Sequence, residues 1–424
     1  MTKAGLVIGG GIAGIQAALD LADQGFTVYL VEKNPSIGGR MVQLDKMFPT
    51  FDCAACVMTP RMVDVGRHEN IRLLTYSEVK EVRREGEYFR VKIVKKPRYV
   101  DEKKCTGCGV CAQLCPVEIP NDFDEKLGFR RAIYVQFPHA VPLIYTIDRE
   151  HCLECDLCQN LCKVGAISLN QRPEEMEVKV GAIIVATGFN LFDARQKEEY
   201  GLGHYDNVIT GLSLERLLDV SGPTGGRVVR PSDGKIPKKV AFIQCVGPWD
   251  EKSESLYCSR VCCMYATKEA DLLKKQIWGA DVTIYHQDLA FSKDFEEFYH
   301  RAKSEFGVKY VKGKVSQIWE NPVNNNLIIR AADTEAGELM EDQFDMVVLS
   351  TGIVPAATND FEKILPLKKG NYGFFEASNP KLDSVTTAID GVFIAGVAEG
   401  PKDIRDSVAQ AKVAALKASV LLKS

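Results

Sequence analysis

Short apolar runs alternate along the chain with stretches whose apolar residues recur at helical spacing. Residues 5–8 form one such run. A glycine-rich turn follows, then a helical pattern over 15–22 and a second apolar strand over 27–31. Further strands are expected at 89–95, 182–185, 239–243 and 346–352, and a closing helix at 406–422. Apolar runs without alternation suit strands covered on both faces of a parallel sheet, so the pattern predicts an α/β fold.

The first turn carries chemistry. Between the strand and helix stand Gly9, Gly10, Gly11, Ile12, Ala13 and Gly14. In a dinucleotide site Gly9 makes the tight turn, Gly11 lets the backbone approach a pyrophosphate, and Gly14 lets the helix pack on the strand. Glu32 ends the second strand, where a carboxylate can take both hydroxyls of a ribose. The following stretch, from Lys33 through Gly38 to Gly39 and Arg40, resembles the flavoproteins with two dinucleotide domains, whose chain turns back over the FAD pyrophosphate. That resemblance implies FAD, with Val79 beside the adenine and Thr187 and Gly188 in the Ala-Thr-Gly strand. It places Gly396 in the segment closing over the flavin and Lys402 and Arg405 in its capping loop. Val397 stands where these flavoproteins usually carry an Asp, so the ribityl contact is expected from the turn 400–404.

Fourteen cysteines change the picture most. Cys105, Cys108, Cys111 and Cys115 form a C-x2-C-x2-C-x3-C-P run, and Cys152, Cys155, Cys158 and Cys162 repeat its spacing. Such runs ligate pairs of [4Fe–4S] clusters, the fourth cysteine of each run reaching the other cluster. The expected sets are Cys105, Cys108, Cys111 and Cys162 for one cluster, and Cys152, Cys155, Cys158 and Cys115 for the other, with each fourth cysteine starting a helix. Zinc is the bland alternative for any C-x2-C. The pair of runs sits between two strands of the FAD half, as an inserted ferredoxin over 97–171.

The strand 239–243 should open a second dinucleotide domain, but its turn reads Gln244, Cys245, Val246, Gly247, Pro248, Trp249. One glycine and a proline cannot cradle a pyrophosphate, so no nicotinamide cofactor is expected. Cys258, Cys262 and Cys263 follow on a predicted helix, where Cys258 and Cys262 would share a face with Cys245 approaching from the strand. The quartet fits a third [4Fe–4S] cluster; four buried structural thiols are the alternative.

Together these motifs, with the residues 41–45, Phe48-Pro49 and the terminal 400–404, closely resemble the A-subunit family of heterodisulfide reductases over essentially the whole chain. The resemblance is to its shorter versions, without the extra cluster domains of the methanogen members. It implies two Rossmann-like domains of the glutathione/thioredoxin-reductase type: an FAD domain over 1–96, 172–235 and 341–424, the inserted 2[4Fe–4S] ferredoxin, and a second domain over 236–340. It further implies an unusually spaced cluster near the FAD and electron bifurcation. Expected partners are B and C subunits of the same kind, a hydrogenase or formate dehydrogenase, or an acyl-CoA-reductase module, around a homodimer. A non-bifurcating quinone-modifying or sulfur-metabolism component is the second possibility, and an assembly scaffold with structural clusters the third. Cys53 and Cys56 stay open between a redox dithiol, two ligands of a fourth cluster, and an inert pair.

Charge and composition exclude more than they assign. A net charge of −4 with mixed signs gives no basic stripe for nucleic acid. No run approaches the roughly eighteen apolar residues a membrane span needs, and a cytoplasmic protein is expected. The histidines, His68, His139, His151, His204, His286 and His300, are scattered without a paired acid.

Overall fold

The computed structural model describes residues 4–249, 255–291, 295–356 and 359–423. They fall into two compact units, residues 1–42, 55–189 and 355–424 in one, and 43–54 and 190–354 in the other.

The first unit is built on a five-stranded parallel sheet. Ala4–Ile8 lies at its centre, between Ala182–Val185 and Thr27–Val31, with Val392–Ile394 and Ile71–Leu74 at the edges. Every residue of Ala4–Ile8 and of Ala182–Val185 is buried, as their unbroken apolar runs predict. The helix Ile12–Ala22 covers one face, against the closing helix Ile404–Lys423. That closing helix turns Ala411, Ala414, Ala415 and Ala418 inward, all fully buried. Small side chains at this spacing let two helix backbones approach.

A three-stranded antiparallel sheet, Glu174–Val180, Tyr88–Lys95 and Ser77–Glu85, stands beside it. Phe89, Val91 and Ile93 alternate into the core with Val178 and Val180. The ferredoxin insertion leaves and returns through this sheet, because Lys95 pairs with Glu174. Both ends of the insertion are thereby fixed at one place.

The second unit repeats the plan. Its parallel sheet runs Val208–Thr210, Met346–Thr351, Lys239–Val246, Asp281–His286, Lys309–Lys312. Helices Gly211–Leu218 and Cys262–Gln276 pack on it, and an antiparallel sheet, Val315–Asn321, Asn326–Asp333 and Glu338–Phe344, completes the core. The unit boundary differs from the one expected: 190–235 and 341–354, read as FAD domain, belong to this second unit. The physical cause is Val208–Thr210, which adds itself to Met346–Thr351 at the sheet edge. Residues 43–54 also join it, where Phe48 meets Phe295 edge-on at 5.4 Å.

Candidate flavin and iron–sulfur sites

In the first unit the glycine turn is packed so tightly that side chains have no room. A Cβ on Gly14 would lie 1.8 Å from the Gly9 carbonyl oxygen, and one on Gly9 2.3 Å from that of Ala186. Gly39 folds back onto the same turn, with a φ of +59° and only 2.8 Å from its Cβ position to Gly11 Cα. The helix beginning at Ile12 has no side-chain cap and no acid in its first turn. Its amides and positive dipole end therefore face the groove between Gly11 and Gly39, a cradle suited to a pyrophosphate.

Glu32 is 6% exposed, and its carboxylate bridges the turn by accepting from Gly10 N at 2.7 Å and Asn34 N at 2.8 Å. Burial raises its pKa, and the two amides work against that. Each oxygen keeps a lone pair for a ribose hydroxyl. Val79 is buried in the strand next to this end of the sheet, whereas Lys33 is exposed. Thr187 Oγ1 is buried without a hydrogen-bond partner, and beside it Gly188, at φ +70°, borders open space. An orphaned hydroxyl at the strand end fits a missing cofactor partner. Gly396 presses onto the first helix, since a Cβ there would lie 2.8 Å from that of Ala13. Lys402 lies in the loop that follows. Its ammonium donates to Gly396 O, Gly400 O and Glu399 Oε2 at 2.8–2.9 Å, which holds the loop in shape.

The ferredoxin insertion docks on this same cradle. Arg98, 2% exposed, donates to Pro35 O and Thr75 Oγ1 at 2.6 Å, and to Thr146 Oγ1 and Glu102 Oε1 at 2.8 Å. Val141 N donates to Ser36 Oγ at 2.8 Å, and Ile37 N to Val141 O at 3.1 Å. Arg40, whose pKa burial lowers, feels the opposing charge of Glu125 in the insertion.

Within the insertion the two cysteine runs adopt one backbone pattern. Gly107 and Gly109 in the first, and Glu154 and Asp156 in the second, are all left-handed, with φ between +52° and +82°. Glu154 N donates to Cys152 Sγ at 3.4 Å, and Ala166 N to Cys162 Sγ at 3.3 Å. Such bonds favour the thiolate. Cys115 lines one cavity together with Cys152, Cys155 and Cys158. Burial, then the neighbouring thiols of Cys105, Cys158 and Cys108, pushes Cys111 up to about 12. Cys158 is raised by burial and by Cys152, Cys115 and Cys155. One detail differs from expectation: Cys115 and Cys162 follow the short helices Val110–Gln113 and Leu157–Leu161 instead of opening new ones.

In the second unit Cys245, one residue before the end of its strand, sits at φ +60°, where the pairing with Met346–Thr351 slips. The turn after it is closely packed: a Cβ on Gly247 would strike the Phe192 ring at 2.3 Å, and Gly352 abuts Pro248. Cys262 and Cys263 open the helix Cys262–Gln276, both buried. Cys258 does not share that helix, as the sequence led us to expect, because Arg260 at φ +62° breaks the turn between them. Arg260 N donates to Cys258 Sγ at 3.3 Å instead. Burial pushes Cys245 up to about 12 and Cys263 to about 11, with Cys258 a neighbour of both. Cys262, also buried, is raised well above the usual thiol range by the same cause and by the three other thiols. Four converging thiols whose burial opposes ionisation suit a metal centre that keeps them deprotonated. Among the described residues no three ligating side chains are close enough for a single ion; cubane ligands, set at its corners, need not be.

Cys53 and Cys56 are disulfide-bonded, at the start of the helix Ala54–Arg67. Cys56 is exposed.

A buried ionic group in the second unit had no counterpart in the sequence motifs. Lys268 pairs with Glu215, and beside them lies Glu269; the three are at most 2% exposed. A helix whose Glu and Lys would normally mark its wet face gave little warning, although Gly211–Leu218 is otherwise strongly apolar.

Comparison with known proteins finds flavin and iron–sulfur families. The family model for FAD dependent oxidoreductases matches residues 6–51, and that for 4Fe-4S binding domains residues 98–121. The chain is 54% identical over 98% of its length to the A subunit of the H(2):CoB-CoM heterodisulfide,ferredoxin reductase of Methanothermobacter marburgensis, covering 63% of that protein. It is 56% identical over 99% of its length to the iron-sulfur A subunit of the CoB–CoM heterodisulfide reductase of Methanocaldococcus jannaschii, covering 64%. It thus spans a little under two thirds of the relatives it matches. Among solved structures, thioredoxin reductase of T. acidophilum superposes with a TM-score of 0.57 at 13% identity, each chain fully covered. That of Lactococcus lactis gives 0.55 at 16%, covering 99% of both. At this identity the likeness is one of fold.

Proposed function

The chain belongs to the A-subunit family of heterodisulfide reductases, and from that premise we propose that it is the FAD- and [4Fe–4S]-containing electron-transfer subunit of a heterodisulfide-reductase-like complex. It passes or bifurcates electrons between flavin and ferredoxin-type clusters. The observation that carries this reading is the docking of the cysteine-rich insertion, through Arg98, Ser36 and Val141, on the loop forming the pyrophosphate cradle. Two redox sites held that rigidly are placed for exchange.

When bound, FAD supplies one- and two-electron chemistry and the clusters one electron each. The protein's own residues bind and tune. Gly11, Gly39 and the helix N-terminus hold the pyrophosphate, Glu32 the ribose, and the Thr187 hydroxyl gains a partner. Backbone amides stabilise the thiolates of Cys152, Cys162 and Cys258. Cys105, Cys108, Cys111 and Cys162 hold one cluster, Cys152, Cys155, Cys158 and Cys115 a second, and Cys245, Cys258, Cys262 and Cys263 a third. Partner B and C subunits and a hydrogenase, formate dehydrogenase or acyl-CoA-reductase module deliver or receive the electrons, around a homodimer. Among the described residues no helix is long and apolar enough to cross a membrane.

Anaerobic purification with assay of FAD, iron and sulfide tests the reading. One FAD and about twelve irons are expected, with reduction by dithionite and none by NADH. About eight irons would remove the third cluster, and rapid bleaching by NADH would overturn the loss of the nicotinamide site. About sixteen irons would make Cys53 and Cys56 ligands of a fourth cluster.

A further inference from the structure

The two cysteine runs repeat each other beyond their cysteines. Asp101 and Glu102 precede Cys105 at the same spacing at which Asp148 and Arg149 precede Cys152. The aspartates match, but the carboxylate of the first run is answered by a guanidinium in the second. Glu102 serves the docking of the insertion, accepting from Arg98 Nε at 2.8 Å and from Lys95 Nζ at 2.7 Å. Arg149 turns instead toward its own cysteine loop. Its Nη2 donates to Glu154 Oε1 at 2.7 Å, and Glu154 N in turn donates to Cys152 Sγ at 3.4 Å.

The guanidinium carbon lies 5.3 Å from the centre of the Tyr99 ring, and its charge lies against the Cys152 sulfur. Tyr99 and Cys152 both pack on the apolar wall of Val100, Ile133 and Ile147. Tyr99 is itself fixed, at φ +59° with its carbonyl accepting from Ser168 N at 3.0 Å. The Arg149 side chain as a whole is 29% exposed, yet its Nη1 is buried and has no hydrogen-bond partner among the described residues. A covered guanidinium N–H without an acceptor is costly, and a sulfur-rich anion held by the adjoining cysteines supplies one. Nearby, Arg130 and His151 both meet Asp148, at 2.8 and 3.1 Å.

We propose that Arg149 sets the potential of the centre held by Cys152, Cys155, Cys158 and Cys115, donating its unpartnered N–H to sulfur there and favouring the added electron by its charge. The inference rests on the cluster reading of this run. Reduction adds one electron from a low-potential donor; no covalent bond breaks, no proton moves, and the N–H to sulfur bond strengthens as the sulfur grows more negative. After screening by Glu154 and by water, the charge favours the reduced state roughly tenfold. At the matching position of the first run Glu102 faces Arg98 and Lys95. Two loops of one backbone pattern thereby receive different electrostatic surroundings.

The test is an EPR-monitored potentiometric titration of the anaerobic holoprotein with dithionite at fixed pH and ionic strength. The signal concerned is the one lost in Cys155→Ser. Arg149→Met should lower its midpoint by about 59 mV, the one-electron equivalent of tenfold, with iron content unchanged and the signal that depends on Cys108 staying in place. Arg149→Lys, which keeps the charge, should lower it by less than half as much. Glu154→Gln removes the screening carboxylate but keeps the main-chain amide on Cys152, and should raise the midpoint. A change of less than threefold in Arg149→Met, about 28 mV, an equal shift of both signals, or a fall in Glu154→Gln overturns the role of Arg149 while leaving the cluster standing. If Arg149→Met does not load, the direction of the Glu154→Gln shift decides. If no signal depends on Cys155, the cluster reading of this run falls as well.

Discussion

Arg98 is the side chain whose loss should separate the ferredoxin insertion from the flavin domain without unfolding either. Replacing it by Ala leaves Pro35 O and the hydroxyls of Thr75 and Thr146 without their buried donor. Glu102 suffers less, being 30% exposed at its side chain and still paired with Lys95 at 2.7 Å. Buried polar groups left unpartnered cost about 1–3 kcal/mol each, less where a hydroxyl can turn elsewhere, so Arg98→Ala should weaken the docking by about 3–5 kcal/mol. That corresponds to a roughly hundred- to several-thousand-fold rise in local opening. Hydrogen exchange in the anaerobic holoprotein measures it at Ile147, whose amide bonds to Arg98 O at 3.0 Å, and at Ser168, bonded to Tyr99 O at 3.0 Å. Both amides should exchange faster by that factor, while Leu6 and Ile183 in the central sheet stay protected. Protection at Ile147 and Ser168 within about threefold of the parent, a difference of under 1 kcal/mol, would refute the assignment of Arg98 as the anchor.

Gly39→Ala forces a Cβ to 2.8 Å from Gly11 Cα at φ +59°; the protein should fold by circular dichroism yet purify with little FAD. Cys115→Ser should remove about four irons and the EPR signal that Cys155→Ser also removes, leaving the signal that depends on Cys108. Asp45 holds its proton more tightly folded than unfolded, with the pKa raised from 3.8 to about 6. Its ionisation therefore costs stability increasingly from about pH 4 to 6 and fully above, and Asp45→Asn should raise the melting temperature at pH 8 more than at pH 4.5. Asp156, at φ +57° without a side-chain cap bond, should tolerate Gly, with a gain of about 0.5–1 kcal/mol in chemical denaturation offset in part by backbone entropy.

Cofactor motifs were legible because their chemistry is local. The turn from Gly9 to Gly14 and the two cysteine runs each need fixed spacings within one strand–turn–helix or one loop, and the structure keeps those spacings. What escaped depends on residues far apart. Lys268 and Glu215 are 53 positions apart on two helices, and each looks like an ordinary wet-face charge until the helices pack. Arg98 likewise is one charge among many until it reaches Pro35, 63 positions away. The unit boundary moved for a related reason: Val208–Thr210 is a three-residue strand, too short for periodicity to reveal, and its sheet is decided by register with Met346–Thr351. Cys258 was misplaced by a single left-handed residue, Arg260, at a position where no glycine announced it.

That residue belongs to a wider regularity. Glu154 and Asp156 in the second ferredoxin run, Cys245 at the strand end and Arg260 before the helix are all non-glycine residues in the left-handed region. Such a conformation costs about 1–2 kcal/mol per residue and persists only where the surroundings impose it. Here it aims amides at sulfur, as Glu154 N at Cys152 and Arg260 N at Cys258. Yet burial pushes the half-buried thiols of Cys111 in the ferredoxin runs and Cys245 in the quartet up to about 12. Backbone strain and burial thus act in opposite senses on different sulfurs of the cysteine sets while these are protonated. They act together once a metal holds the thiolates, since the amides then meet a negative sulfur and burial shields it from water. The cysteine loops are therefore shaped for the loaded state, and assembling a cluster must expel the thiol protons.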